Sequence, residues 1–139
     1  MENAPQAESR ADALEDRLVD FAVAIIPIAN RLSESFAGRY IASQIIRSGT
    51  AAAPNYAEAR SAESRADFIH KLRIAIKELN ETAIWLRIIT KATLLPAASL
   101  VSLTQECGEL RRIIGASLRT ARIRARSQSP PNGQMSNNQ

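Results

Sequence analysis

Apolar residues in this chain return at every third or fourth position in four separate stretches, and no long run favours a strand. That spacing puts one side chain per turn on a common face, the signature of an amphipathic helix. Leu14, Leu18, Phe21, Ile25, Ile28 and Leu32 form the first stripe, and Ile41, Ile45 and Ile46 the second. Phe68, Leu72, Ile76, Leu79, Ala83 and Leu86 form the third, and Leu100, Leu103, Cys107, Leu110, Ile114, Leu118 and Ala121 the fourth. Hydrophobic residues make up 45% of the chain but aromatics only 4%, so the core must be built from Ala, Leu and Ile, which suits helices. At 139 residues the chain is one domain able to bury a core without staples. The expected fold is an all-α, antiparallel up-down four-helix bundle.

The first helix is expected from about Ala11 to Leu32, with a bend at Pro27, and Val19, Val23 and Ile26 widen its apolar face. Ser33 to Gly38 reads as a turn. A second helix starts near Gly38 and runs to about Ala59, bent or broken between Gly49 and Pro54 because Pro54 has no N–H for the Thr50 carbonyl. The third runs from about Ser64, a candidate N-cap with Asp67 three residues on, to Ala92. Pro96 suits the first turn of the fourth. The bundle is thus assigned to residues 10–126, with disordered tails at 1–9 and 127–139.

Charge is unevenly distributed. Residues 1–38 set Arg10, Arg17 and Arg31 against seven acids, whereas residues 96–139 set six arginines against Glu106 and Glu109. A net charge of +4 with a basic end and an acidic end points to nucleic acid or an acidic partner, or to ordinary solvated charge. The start, MENAPQAESRADALED, has neither the basic opening nor the apolar core of a secretory signal. The longest apolar run, Phe21 to Ala29, is too short to span a bilayer. One cysteine permits no intrachain disulfide. A soluble, cytoplasmic protein without a membrane partner is expected.

Catalytic readings find little to work with. Asp67 and His70 have the spacing of a bundle metal motif, but His70 is the only histidine and a dinuclear site needs two such motifs. No metal, cofactor or enzymatic activity is expected. Cys107 lies among leucines, where a thiol is inert and its pKa raised. Glu78 and Glu81 share a face and could form an acid/base pair, but such pairs more often serve interhelical salt bridges. Ile74, Trp85 and Ile88 form a stripe with Glu78 and Glu81 away from the core, as an oligomer interface requires. Asn55, Glu58, Asp67 and His70 are expected to gather near the second loop as a polar network, with a ligand pocket there as the alternative.

On a helical wheel Arg111, Arg112, Arg119, Arg122 and Arg126 fall within an arc of about 100°, and Arg124 falls outside it. Gly108 and Gly115 lie in the same arc and leave it open. A guanidinium binds two phosphate oxygens at once, so this ribbon suits a nucleic-acid backbone, RNA or DNA, read without regard to sequence. The alternative is a basic face paired with an acidic helix of a neighbour.

Three blocks carry a resemblance. The first is Ser48, Gly49, Thr50, Asn55, Tyr56, Glu58 and Ala59; the second is Glu63, Ser64, Asp67, Phe68, Ile69, His70 and Lys71; the third is Lys77, Glu78, Glu81, Thr82, Trp85 and Leu86. With their spacing they resemble the 23S rRNA intervening-sequence protein family. The chain departs from that pattern at Ala53-Pro54, where a small-residue pair is usual, and at Ala57, where Arg often stands. The resemblance implies four-helix bundles assembled into a ring-like homopentamer, with no established enzyme activity. More distantly, the chain is similar to the accessory variability proteins of diversity-generating retroelements. That likeness implies a basic pentameric barrel that binds nucleic acid and a reverse transcriptase.

Overall fold

Each apolar stripe winds one helix. The computed structural model describes residues 4–128, with α1 at Ala4–Leu32, α2 at Phe36–Arg60, α3 at Arg65–Lys91 and α4 at Val101–Gln128. A short 3-10 turn, Ala97–Ser99, precedes α4, and no strand forms among the described residues. Short connections make successive helices antiparallel. α2 packs against α1 and α3, and α4 packs against α3 and more loosely against α1.

The first and fourth stripes are buried as expected, from Leu14 to Leu32 and from Leu100 to Ala121. The third is rotated slightly from its expected phase. Ala75, Thr82 and Ile89 are fully enclosed, whereas Phe68, Ile76 and Ala83 are only partly covered. Small and polar residues hid that phase, because a wheel weighted by large apolar side chains passes over Ala75 and Thr82. Ile46 of α2 and Val19, Val23 and Ile26 of α1 stay exposed.

The helix ends follow their caps. Ser35 Oγ accepts from the Gly38 N–H and Ser64 Oγ from the Asp67 N–H, each at 3.0 Å. The Ser35 cap starts α2 at Phe36, inside the expected turn. α3 ends where Thr93 adopts a left-handed φ of 56° and the Leu94 N–H reaches back to the Ile89 carbonyl, a Schellman closure made without glycine. Pro96 caps the 3-10 turn rather than entering α4, which begins at Val101.

Both internal prolines leave their helices continuous, so of the bend or break expected in α2 the break does not occur. Pro27 and Pro54 are both exposed, Pro27 on the face opposite its buried neighbours Ile28 and Ala29. At Pro54 the ring points to water, where the carbonyl it deprives can be hydrated. Asn55 Nδ2 also donates to the Ala51 carbonyl at 2.8 Å and reinforces the turn beside Pro54. The tail expected over residues 1–9 is helical from Ala4. Pro5 is tolerated in a first turn, and Ala and Gln extend a helix without needing a buried face. Residues 1–3, and 129–139 of the tail expected at the C-terminus, lie outside the described residues.

Close packing of α2 rests on small side chains. A Cβ added at Gly49 would stand 2.8 Å from Ile25 Cγ1, and Ile25 is fully buried. Between α2 and α3 the hydroxyls of Ser48 and Thr82 lie 2.9 Å apart, both fully buried. Thr82 Oγ1 is also 2.8 Å from the Glu78 carbonyl. A hydroxyl has one proton, so Thr82 donates to that carbonyl and accepts from Ser48. Glycine in a helix interior normally costs about 1 kcal/mol against alanine. Gly49→Ala should nevertheless destabilise the bundle, by about 1–3 kcal/mol, because the methyl overpacks Ile25. Gly108 has no atom within 4 Å of its Cβ position, so Gly108→Ala should stabilise by about 1 kcal/mol. Urea titration of the two variants should move the midpoint in opposite directions.

Candidate nucleic-acid interface

Burial of Leu103, Cys107, Leu110, Ile114 and Leu118 against the bundle sets the rotation of α4 about its axis. The same rotation turns Arg111, Arg112, Arg119 and Arg126 into solvent. Gly108 leaves open space between them, and a Cβ at Gly115 would meet only Arg119 Nη1, at 3.7 Å. Arg122 differs from the other four. It is half-buried, and its Nε is enclosed without a hydrogen-bond partner, so only the tip of the guanidinium serves the surface. Arg112 meets Glu109 at 3.5 Å along its own helix. The other four of the five form no ion pair among the described residues. Arg124 stands apart, lining a cleft with Tyr56 and Phe68.

The other carboxylate of α4 sits elsewhere. Glu106 takes the guanidinium of Arg17 on α1. On the opposite flank Cys107 Sγ lies 3.3 Å from the Leu79 carbonyl of α3, and burial pushes its thiol up to about 11. That thiol stays protonated at neutral pH and is a packing group, as the sequence implied.

Three residues of the stripe expected at a subunit interface, Glu78, Glu81 and Trp85, have partners within the chain. Arg47 of α2 bridges Glu78, at 3.2 Å, and Glu81. Trp85 Nε1 donates to Glu81 Oε1 at 3.4 Å, and its ring meets Tyr40 edge to face with centroids 6.2 Å apart. The Arg47 guanidinium holds the Glu81 carboxyl below its ordinary value of 4.5, with the Trp85 N–H adding to that effect. Ile74 is half-buried and Ile88 is exposed. Arg47 was not legible as their partner, because its register opposite α3 appears only once the helices pack.

The four residues expected to form one polar network do not meet. Asn55 turns to its own helix, and Glu58 instead ion-pairs Lys71 at 2.7 Å. The carboxylate holds the Lys71 ammonium above its usual range. Asp67 supplies its N–H to the Ser64 cap and its charge to the field at Lys71. His70 is exposed and has no partner among the described residues. The packing register places Lys71, not His70, opposite Glu58. No group of three or more His, Cys, Asp or Glu among the described residues is arranged to hold a metal ion. None of the described helices is long and apolar enough to cross a membrane. A cleft of about 450 Å³ lies between the end of α3 and the start of α4, floored by Leu86, Leu100 and Val101 and rimmed by Arg87 and Lys91.

A family model described as 23S rRNA-intervening sequence protein matches residues 15–116, a span that takes in most of all four helices. The chain belongs to that family. A solved structure titled as a protein of unknown function from the S23 ribosomal protein family of Bacteroides thetaiotaomicron superposes with a TM-score of 0.74 at 32% identity. The match covers 78% of this chain and 97% of that one. No curated protein matches.

In this chain the blocks that carry the family resemblance fall mainly on the packing of α2 with its neighbours. Ser48 and Thr82 form the buried hydroxyl pair, Gly49 receives Ile25, and Glu78, Glu81 and Trp85 form the Arg47 and Tyr40 cluster. The arginine stripe lies outside those blocks. Replacing Arg47 by Met keeps the stem and removes the charge, which should cost about 1 kcal/mol at pH 7, the upper range for a solvent-screened pair. A carboxylate with a depressed pKa stabilises only while ionised, so this contribution is present above 4.5 and lost as the pH falls further. The stability gap between wild type and variant in urea should close in acid.

Proposed function

We propose that this chain is a non-enzymatic, oligomeric protein of the cytoplasm that binds nucleic acid through the exposed arginines of α4. One observation carries the reading: Arg111, Arg119 and Arg126 stand on one face, exposed and without an ion pair among the described residues, with Glu106 turned away to Arg17. Unneutralised arginines along a rigid helix bind phosphates at successive positions and release counterions. The buried, protonated Cys107 thiol is a packing group and offers no ready nucleophile. The partner enzyme of such an accessory factor is an RNA-related one, such as a reverse transcriptase. That part rests on the resemblance alone.

Half-buried Arg122 is a poor position to reverse, since a carboxylate there would be partly desolvated. The better test is Arg111→Glu, Arg119→Glu and Arg126→Glu together. Wild type should retain RNA or DNA on a filter at low salt and lose it steeply as salt rises, with little dependence on sequence. The triple variant should lose retention at all salt concentrations while its helical circular dichroism is unchanged. Equal retention by both proteins, or none by wild type, would favour a scaffold that recruits a protein.

The assembly belongs to the same proposal. A ring of five copies would multiply a modest charge per chain into a strong field. Apolar surface for such an assembly is present at Val19, Val23 and Ile26 on α1, and at Phe36, Tyr40, Ile84 and Ile88 around α2 and α3. Ile88, 38% exposed, is the position where a charge should act on assembly before the core. Sedimentation should give a pentamer for wild type and a smaller species for Ile88→Asp at the same concentration. A monomeric wild type would end the ring model.

A further inference from the structure

The arginines of α4 do not stand alone, because α3 presents a second basic row beside them. The Cys107 contact with the Leu79 carbonyl fixes the register of the two helices, and the cleft joining the end of α3 to the start of α4 shows that they run antiparallel. On α3, Arg65, Arg73, Arg87 and Lys91 fall within an arc of about 80° on the side toward α4, assuming ideal helix geometry. All four are exposed, and none is ion-paired among the described residues. Arg87 and Lys91 rim the cleft whose other wall is the start of α4, and this places their row on the same seam.

Packing has turned three acids away from this seam. Glu78 and Glu81 of α3 turn to Arg47 on α2, and Glu106 of α4 turns to Arg17 on α1. Glu109 stays beside Arg112 at the outer edge, and Glu63 shares a cleft with Arg65 at the start of α3. Aromatic rings are scarce along the seam too. Trp85 and Tyr40 pack together on the α2 side, Tyr56 is buried, and Phe68, partly buried against the core, lines a cleft with Arg65 and Arg124 at one end. Single strands are gripped by stacking successive bases on such rings, and one partly buried ring offers no succession of stacks. From Arg65 to Lys91 the track runs about 39 Å at 1.5 Å per residue. That exceeds one turn of duplex, about 34 Å.

We propose that the α3–α4 seam binds the sugar-phosphate backbone of double-stranded nucleic acid, with the α3 row contributing alongside the α4 row. The proposal rests on the nucleic-acid reading above and adds the strandedness of the ligand and a second set of phosphate-binding cations. Two cationic rows on a stiff surface poor in aromatic rings fit a duplex, whose phosphates are held at fixed spacing. A flexible single strand would have to be ordered on the surface without stacking to offset that cost.

The experiment measures polarisation of labelled 20-base-pair DNA and RNA duplexes and of the matching single strands, over a salt series. Proteins compared are wild type, the α4 triple reversal, Arg73→Glu with Arg87→Glu and Lys91→Glu, and a control carrying Arg31→Glu and Arg39→Glu on α1 and α2. Duplex should bind at least about tenfold tighter than single strand, and the α3 reversal should weaken it about tenfold or more. Every cation that no longer reaches a phosphate should lower the salt slope by about one. The control should bind within about twofold of wild type, and circular dichroism should show every variant folded. The DNA and RNA arms show which duplex form the seam accepts. Single strand bound as tightly as duplex, an α3 reversal indistinguishable from wild type, or a control weakened as much as the α3 reversal would each overturn the inference. In those cases loss of binding in the α4 reversal would leave the broader reading standing. No binding of any probe by wild type would remove that reading as well.

Discussion

Close approach of α2 to both its neighbours is the constraint on which the rest of the bundle depends. Gly49 lets Ile25 of α1 seat directly against the α2 backbone, and Ser48 and Thr82 join α2 to α3 by a fully enclosed hydroxyl pair. A larger side chain at either seam would separate the helices and open voids around Leu72, Leu79 and Ile45. The same positions carry much of the resemblance to the family, so its most recognisable residues are explained by packing. Three of the charged and aromatic ones, Glu78, Glu81 and Trp85, belong to the α2–α3 interface with Arg47 and Tyr40.

Once the apolar stripes fix the rotation of each helix, charge placement follows. On α3 and α4 Glu78, Glu81 and Glu106 lie toward α2 and α1, where they meet Arg47 and Arg17. Most of the arginines are left on the remaining side. Arg60 likewise meets two of the α1 acids, Asp12 and Glu15, while Asp16 and Asp20 remain on α1, away from the arginine row. A net charge of +4 therefore understates the field over the α3–α4 side. These surface pairs contribute little to stability in water. Their larger consequence is which cations remain unpaired.

Much of the fold was legible in the residues. The stripes of α1 and α4 are continuous runs of large apolar side chains, and burial followed them from Leu14 to Leu32 and from Leu100 to Ala121. The phase of α3 was less so, since Ala75 and Thr82 are buried without advertising it. Pro54 gave a misleading signal, because a helix can carry a proline where the carbonyl it leaves unpaired reaches water. Of the candidate site, the α4 row could be placed on a wheel, but half-buried Arg122 could not be told from exposed Arg119. The expected network at Asn55, Glu58, Asp67 and His70 failed because it paired residues by proximity in sequence, while pairing between helices depends on register.

By itself the sequence determined the number of helices, the faces they bury and the cap at Ser64, because periodicity and local hydrogen bonding act within a few residues. It also determined that five arginines share one side of α4, a consequence of helical pitch alone. Only the tertiary structure decided that Arg47 spans Glu78 and Glu81, that Lys71 rather than His70 faces Glu58, and that Arg73, Arg87 and Lys91 lie beside the α4 row. Those relations join residues on different helices. Their alignment is set by how the small side chains of α2 and the buried stripes interlock, and no period within one helix contains it.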